Sequence, residues 1–267
     1  MKSMKKISLF LALLMMLCCF ASCSSTPKSV KIETVDDLVG KTIGVQLGTT
    51  GDINIASTIK DAEVKQYSKA IDAALALADG KIDCVIVDME PAKNIVAANS
   101  ALKIQTSITF DPEDYAIAVK KGNSELLGLI DVVLNEIKSD GTYDNLIKGF
   151  IETPQDERDA YITGDQIGTE GVLRVGTNAE FPPFEYTLDD GTIVGFDIEI
   201  AKLIAKKANK TLEIVNTAFD SLLLELDSGN VDFVIAGMTV DAERSAQVDF
   251  SASYYTSEQA VIVRADN

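Results

Sequence analysis

The chain has 267 residues, 46% of them hydrophobic, with a formal net charge of -17 and no histidine. That length and apolar content belong to a globular protein with a substantial core rather than a disordered chain, and the negative charge opposes binding to nucleic acid or anionic membrane surfaces. The absence of histidine removes the commonest general base and metal ligand, so His-based triads are excluded and neither a metal site nor a cofactor is expected.

Lys2, Lys5 and Lys6 precede an apolar run over residues 7–20, which closes on Ala21, Ser22 and Cys23. This order is that of a signal peptide over 1–22, too short for a good membrane span. Phe20-Ala21-Ser22-Cys23 resembles a bacterial lipoprotein cleavage box with Phe in place of the usual Leu. Cys23 is therefore the expected lipidation site, and the polar stretch 23–29 a tether. Cys18 and Cys19 leave with the signal, so only Cys84 is expected in the folded part and no intrachain disulfide can form. Within Asp83-Cys84-Val85-Ile86-Val87 it reads as a small core residue rather than a nucleophile.

Beyond the tether, short apolar runs alternate with helical periodicities, the signature of α/β units with largely parallel sheets. A strand over 41–45 is followed by the tight turn Gly48-Thr49-Thr50-Gly51, a helix over 52–60, a helix over 69–78 stopped near Gly80, and a strand over 84–87. Pro91 fits the first turn of the next helix. A strand over 115–119 leads to the helix written by Leu126, Leu127, Ile130, Val133, Leu134 and Ile137, which ends before Gly141, and then to a short helix over 143–150. Residues 152–171 contain Pro154 and little periodicity and read as a connector. A second α/β run follows: a strand over 173–176, a hairpin over 185–194 turned at Asp190-Gly191, a helix over 198–208, a strand over 212–215, a helix over 221–226 and a strand over 233–236.

An internal repeat ties the two runs together. Residues 77–86 (Leu-Ala-Asp-Gly-Lys-Ile-Asp-Cys-Val-Ile) match residues 226–235 (Leu-Asp-Ser-Gly-Asn-Val-Asp-Phe-Val-Ile), and upstream of each copy a strand ends in Gly-Thr, at Gly48-Thr49 and at Gly176-Thr177. Two lobes of similar fold, each offering loops at the C-terminal ends of its strands, are the expected architecture.

The stretch Thr177-Asn178-Ala179-Glu180-Phe181-Pro182-Pro183-Phe184-Glu185-Tyr186, followed by Gly195-Phe196-Asp197, resembles the start of bacterial periplasmic polar-amino-acid-binding proteins, the solute receptors of ABC importers. The resemblance continues through Ala218-Phe219-Asp220, Ala236-Gly237-Met238-Thr239, Glu243-Arg244, Val248-Asp249-Phe250-Ser251 and Tyr254-Tyr255, and residues 38–50, 80–88 and 141–143 match the later motifs of that family. It implies a two-lobed periplasmic-binding-protein fold of type II, each lobe a mixed, mostly parallel sheet flanked by helices, with two hinge crossings. The motifs stand in permuted order, the second half first, so the chain resembles a circular permutant. The family's original ends are then joined by the connector 152–171. Lobe one is expected over 115–255, lobe two over 30–112 plus 259–267, with the crossings at 111–115 and 254–258.

The resemblance also implies a site. Arg244 matches the family's carboxylate-binding arginine, a task suited to a planar two-donor fork, although one Arg in a polar helix start otherwise reads as a surface residue. Asp88 matches the position that pairs with the ligand ammonium; on its own, an Asp before a helix reads as an N-cap. Thr49 and Thr50, between strand and helix, offer amide donors, as do Gly237 and Thr239 on the opposite lobe. Phe181 and Phe219 correspond to aromatic walls around the ligand side chain. Asn178 stands where many relatives carry Asp, which removes an anion from the side-chain end; Glu180 or Glu185 are the candidates to compensate, and Gln46 faces the same region.

These readings imply a non-enzymatic, extracytoplasmic receptor for a polar amino acid, glutamine or arginine ahead, that closes about its hinge. A membrane-embedded ABC permease is the expected partner, with membrane contact only through the lipid anchor, no nucleic acid, and a monomeric state. The rival reading from another class is a cyclohexadienyl or arogenate dehydratase-like enzyme on the same fold, with Glu180 or Glu185 as its acid or base.

Overall fold

The computed structural model describes residues 30–266, so the expected signal peptide, Cys23 and the tether lie outside the described residues. Two five-stranded sheets organise the chain. In the first, β1 (Thr42–Gln46) lies between β2 (Glu63–Tyr67) and β3 (Cys84–Asp88) and runs parallel to both; next to β3 come β15 (Gln259–Arg264) and then β4 (Leu102–Ile104), with β15 antiparallel to each neighbour. In the second, β7 (Val172–Thr177) lies between β11 (Thr211–Asn216) and β12 (Phe233–Val234), again parallel to both, and β6 (Ala118–Lys120) runs antiparallel to β12 and to β13 (Val248–Phe250). The two sheets thus share one strand order and one set of directions. The repeated segments at 77–86 and 226–235 feed the equivalent strands β3 and β12.

Every residue of β3 is buried, because the strand is covered on both faces. Cys84 and Ile86 pack with Ile43, Val45 and Val261 on one side. Val85 and Val87 point the other way, onto the alanines of α1 (Ala70–Ala78) and onto α2 (Met89–Ala98). The two-residue period of a strand thus divides one sequence between two cores. Around the other sheet, α3 (Ser124–Asp140), α4 (Thr142–Leu146) and α5 (Phe196–Lys207) cover one face with Ile130, Leu134, Phe196 and Ile200, while Leu222 and Leu226 of α6 (Leu222–Asp227) cover the other. A small antiparallel sheet, β8 (Glu180–Phe181), β9 (Glu185–Thr187) and β10 (Ile193–Val194), projects from this lobe. β5 (Glu113–Tyr115) and β14 (Tyr255–Ser257) pair antiparallel and carry the chain between the sheets in both directions.

Three expectations need correction. Residues 52–60 do not form a continuous helix; a π turn over Gly51–Ile55 gives way to a 3-10 turn over Ala56–Thr58. The β-branched Ile53, Ile55 and Thr58 are weak helix formers, and Asp52 accepts hydrogen bonds from the Gly48 amide (3.0 Å) and Gln66 Nε2 (2.9 Å), which hold the loop tight. The strand expected over 115–119 is split into β5 and β6, because the chain there turns from the ribbon into the sheet. The connector contains a 3-10 helix, Gln155–Tyr161, whose Arg158 is buried. Among the described residues no helix is long and apolar enough to cross a membrane.

Candidate functional site

The parallel strands of both sheets aim their C-terminal ends at the cleft between the lobes, the position where open α/β sheets offer loops to ligands. β1 delivers Gln46, with Thr49 and Thr50 in the following turn; β3 delivers Asp88; β7 leads to Asn178; β12 leads to Ala236, Gly237 and Thr239. Arg244 sits on the short helix α7 (Ala242–Gln247), capped by Asp241, whose carboxylate accepts the Arg244 amide at 2.7 Å. All ten residues named from the sequence, Gln46, Thr49, Thr50, Asp88, Asn178, Phe181, Phe219, Gly237, Thr239 and Arg244, line a single narrow cleft, together with Glu185 and Ala236.

The Arg244 guanidinium is buried and already oriented. Nη1 donates to the Thr239 carbonyl at 2.8 Å and Nη2 to the Gly48 carbonyl of the opposite lobe at 2.9 Å, while Phe219 lies against the guanidinium carbon at 5.5 Å from its ring centroid. Burial pulls its pKa down, opposed by Asp241, Glu113 and Asp88. Two further bonds close the lobes at the site: Gln46 Nε2 donates to Asn178 Oδ1 at 2.9 Å, and the Thr50 hydroxyl donates to the Thr239 hydroxyl at 3.0 Å. Gly237 adopts φ +52°, and a Cβ there would lie 2.8 Å from the Phe181 ring, so only glycine lets this backbone approach the cleft so closely.

Asp88 precedes α2 at the N-cap position, yet its side chain makes no capping hydrogen bond. Its carboxylate instead accepts the Tyr115 hydroxyl. Burial, and then the neighbouring Glu113 carboxylate, raise the Asp88 pKa well above the usual carboxylate range. Glu113 receives the Thr239 hydroxyl and Gln259 Nε2, both at 2.6 Å. Sequence reasoning missed Glu113 and Tyr115, because they lie in the hinge ribbon; their adjacency to Pro112 at the expected crossing was the one available signal.

Of the two acidic candidates for the side-chain end, Glu180 is paired with Lys69 at 2.6 Å and is not part of the cleft lining. Glu185 lines the cleft, is fully buried, and neither of its oxygens has a hydrogen-bonding partner among the described residues. Burial and the nearby Asp197 raise its pKa well above the ordinary value. Asp197, at the start of α5, is also fully buried; one oxygen accepts the Gly237 amide (2.9 Å) and the Tyr254 hydroxyl (2.7 Å), and the other has no partner. Burial pushes its pKa up to about 6 against those two donors. Among the described residues no cluster of acidic residues and cysteines could hold a metal ion. Cys84, on β3, is buried and its thiol is pushed up to about 12 by burial, which leaves it inert.

Two similar lobes, a double crossing and a cleft lined from both sides define a two-lobed α/β binding-protein fold. Residues 173–267 match the bacterial extracellular solute-binding proteins, family 3. Residues 17–125 match the family described as NMT1/THI5 like. The chain is 43% identical over 105 residues to the arginine-binding extracellular protein ArtP of Bacillus subtilis (strain 168), covering 39% of this chain and 40% of that protein. It is 38% identical over 92 residues to a probable histidine-binding protein of Neisseria gonorrhoeae, covering 34% of each. A solved ancestral arginine-binding protein bound to arginine is 51% identical over 32% of this chain and 38% of that one, with a TM-score of 0.32. The chain spans about two fifths or less of the length of these relatives.

Proposed function

We propose that this protein is the extracytoplasmic receptor of an ABC importer and that it binds a polar amino acid with a cationic side chain, arginine first. The observation that carries the choice is Glu185, a buried carboxylate that lines the cleft without a partner. An isolated buried anion is costly, and a guanidinium supplies the paired donors that satisfy it. Glu185 thereby restores the anion that Asn178 does not provide. Arg244 and the amides near Thr50 and Thr239 take the ligand carboxylate, Asp88 takes the ammonium, and Phe181 and Phe219 flank the side chain.

In this reading the chain is a circular permutant, with lobe two over 30–112 plus 259–267, lobe one over 115–255, and Cys23 as its lipid anchor beside the permease. Ligand held by one lobe gains the contacts of the other only on closure, which is the signal to the permease. A thermal-shift screen of the twenty amino acids and cystine tests the proposal. Arginine at about 100 times its Kd adds about 2.7 kcal/mol of stability, and no response to any cationic amino acid would remove this reading. Prephenate and arogenate are expected to pass through unconverted.

A further inference from the structure

At the side-chain end of the cleft, Glu185 in the lining and Asp197 buried behind it hold three carboxyl oxygens without a donor: both of Glu185 and one of Asp197. The surrounding groups do not help them. Tyr254, from the hinge side, donates to the other Asp197 oxygen, as does the Gly237 amide. Asp88, across the cleft at the end of β3, adds a further negative field on Glu185. Arg244 lines the same cleft, but its terminal nitrogens are held by the carbonyls of Thr239 and Gly48. Two adjacent buried carboxyl groups with no donor between them are satisfied most simply by a hydrogen of their own, since a carboxylic acid donates where a carboxylate can only accept.

We propose that Glu185 and Asp197 hold one proton between them in the ligand-free protein and release it to solvent when the cationic side chain of the ligand enters, so that arginine binding is coupled to proton loss. The inference rests on the arginine reading above and gives Asp197 a role as the positioning and proton-sharing partner of Glu185. The balance is simple. The Glu185 carboxylic acid loses H⁺ to the buffer, its carboxylate pairs with the guanidinium, and no covalent bond of the ligand changes. The burial that keeps Glu185 protonated and the proximity of Asp197 both act against ionisation until a cation arrives. A neutral side chain of the same shape gains no such ion pair and leaves the proton in place. Selection between arginine and its uncharged analogues is therefore set by pH as well as by fit.

Calorimetry of the full chain in buffers of different ionisation enthalpy, near pH 7, tests this with arginine and citrulline. Both present the same ammonium to Asp88 and the same carboxylate to Arg244, so the difference in protons released isolates the side-chain end. The expected difference is about one proton, with the arginine Kd tightening by up to about tenfold per pH unit relative to citrulline. Asp197→Asn, which keeps acceptors for the Gly237 amide and Tyr254, should lower the difference because Glu185 then ionises without a charged neighbour. Glu185→Gln should abolish it. Arginine binding with the same proton release as citrulline overturns the coupling while leaving the receptor reading intact; no arginine binding at all overturns both.

Discussion

The two ends of the cleft differ in how far the protein has answered its own polar groups. Around Arg244 the side chain is already held in place: the guanidinium is tied to two carbonyls and an aromatic face, and its helix start is capped by Asp241. Around Glu185 the carboxyl oxygens are left without donors. An anchor for a group common to all amino acids can be fixed in advance, whereas the group that distinguishes one ligand from another is left open for the ligand to complete.

The sharpest way to break this contrast is at the anchor. Arg244→Ala is expected to weaken arginine binding by about 2 to 5 kcal/mol, the range for removing one partner of a buried charge pair, with glutamine or citrulline weakened equally. Titration calorimetry with unchanged affinity for every amino acid would strip Arg244 of its role. At the open end the next effect concerns the ligand-free protein. Asp197 has a folded-state pKa of about 6, above its ordinary value of 3.8, so the folded state holds its proton more tightly than the unfolded chain. Its contribution favours folding at low pH and is lost as pH rises through about 6, a swing of up to ~3 kcal/mol. Denaturant midpoints should thus rise on acidification from pH 8 towards 5, and that rise should shrink in Asp197→Asn. Glu185→Gln sharpens the comparison further: arginine is expected to lose about 2 kcal/mol, the worth of a hydrogen bond to a charged group, while glutamine affinity holds or improves. Equal losses for both ligands would mean that Glu185 does not discriminate.

Much of this arrangement was legible in the chain, and what was not has physical reasons. The repeat at 77–86 and 226–235 foretold two equivalent strands, because a helix stop, a turn and a fully buried strand write themselves into local residue order. The edge strand β2 left no such trace. Its sequence, Glu63-Val64-Lys65-Gln66-Tyr67, is mostly exposed and polar, as edge strands are. In the site, motif positions brought Gln46, Asp88, Asn178 and Arg244 to one cleft although they come from both ends of the chain. Asp197 stood in the quoted motif without a role in the site because, at the start of α5, it reads as an ordinary first-turn acid. Its contacts with Gly237 and Tyr254 lie 40 and 57 residues away. The isolation of Glu185 was equally hidden, since a missing partner is a property of packing and not of local sequence.

The smallest effect separates closure from anchoring. Thr50 of one lobe donates to the Thr239 hydroxyl of the other, which in turn donates to Glu113 in the hinge ribbon. The Thr50–Thr239 bond forms only when the lobes meet, so it contributes to the closed, ligand-holding state and not to the stability of either lobe. Thr50→Val keeps the side-chain shape and removes the donor; the loss of one neutral hydrogen bond is about 1 kcal/mol, or about fivefold in Kd. Because both ends of the ligand depend on closure, arginine and glutamine should weaken by the same factor, while the thermal midpoint of the ligand-free protein stays where it was. A lowered midpoint without loss of affinity would instead assign Thr50 to the packing of its own lobe and leave Gln46 and Arg244 to carry the contact between the two.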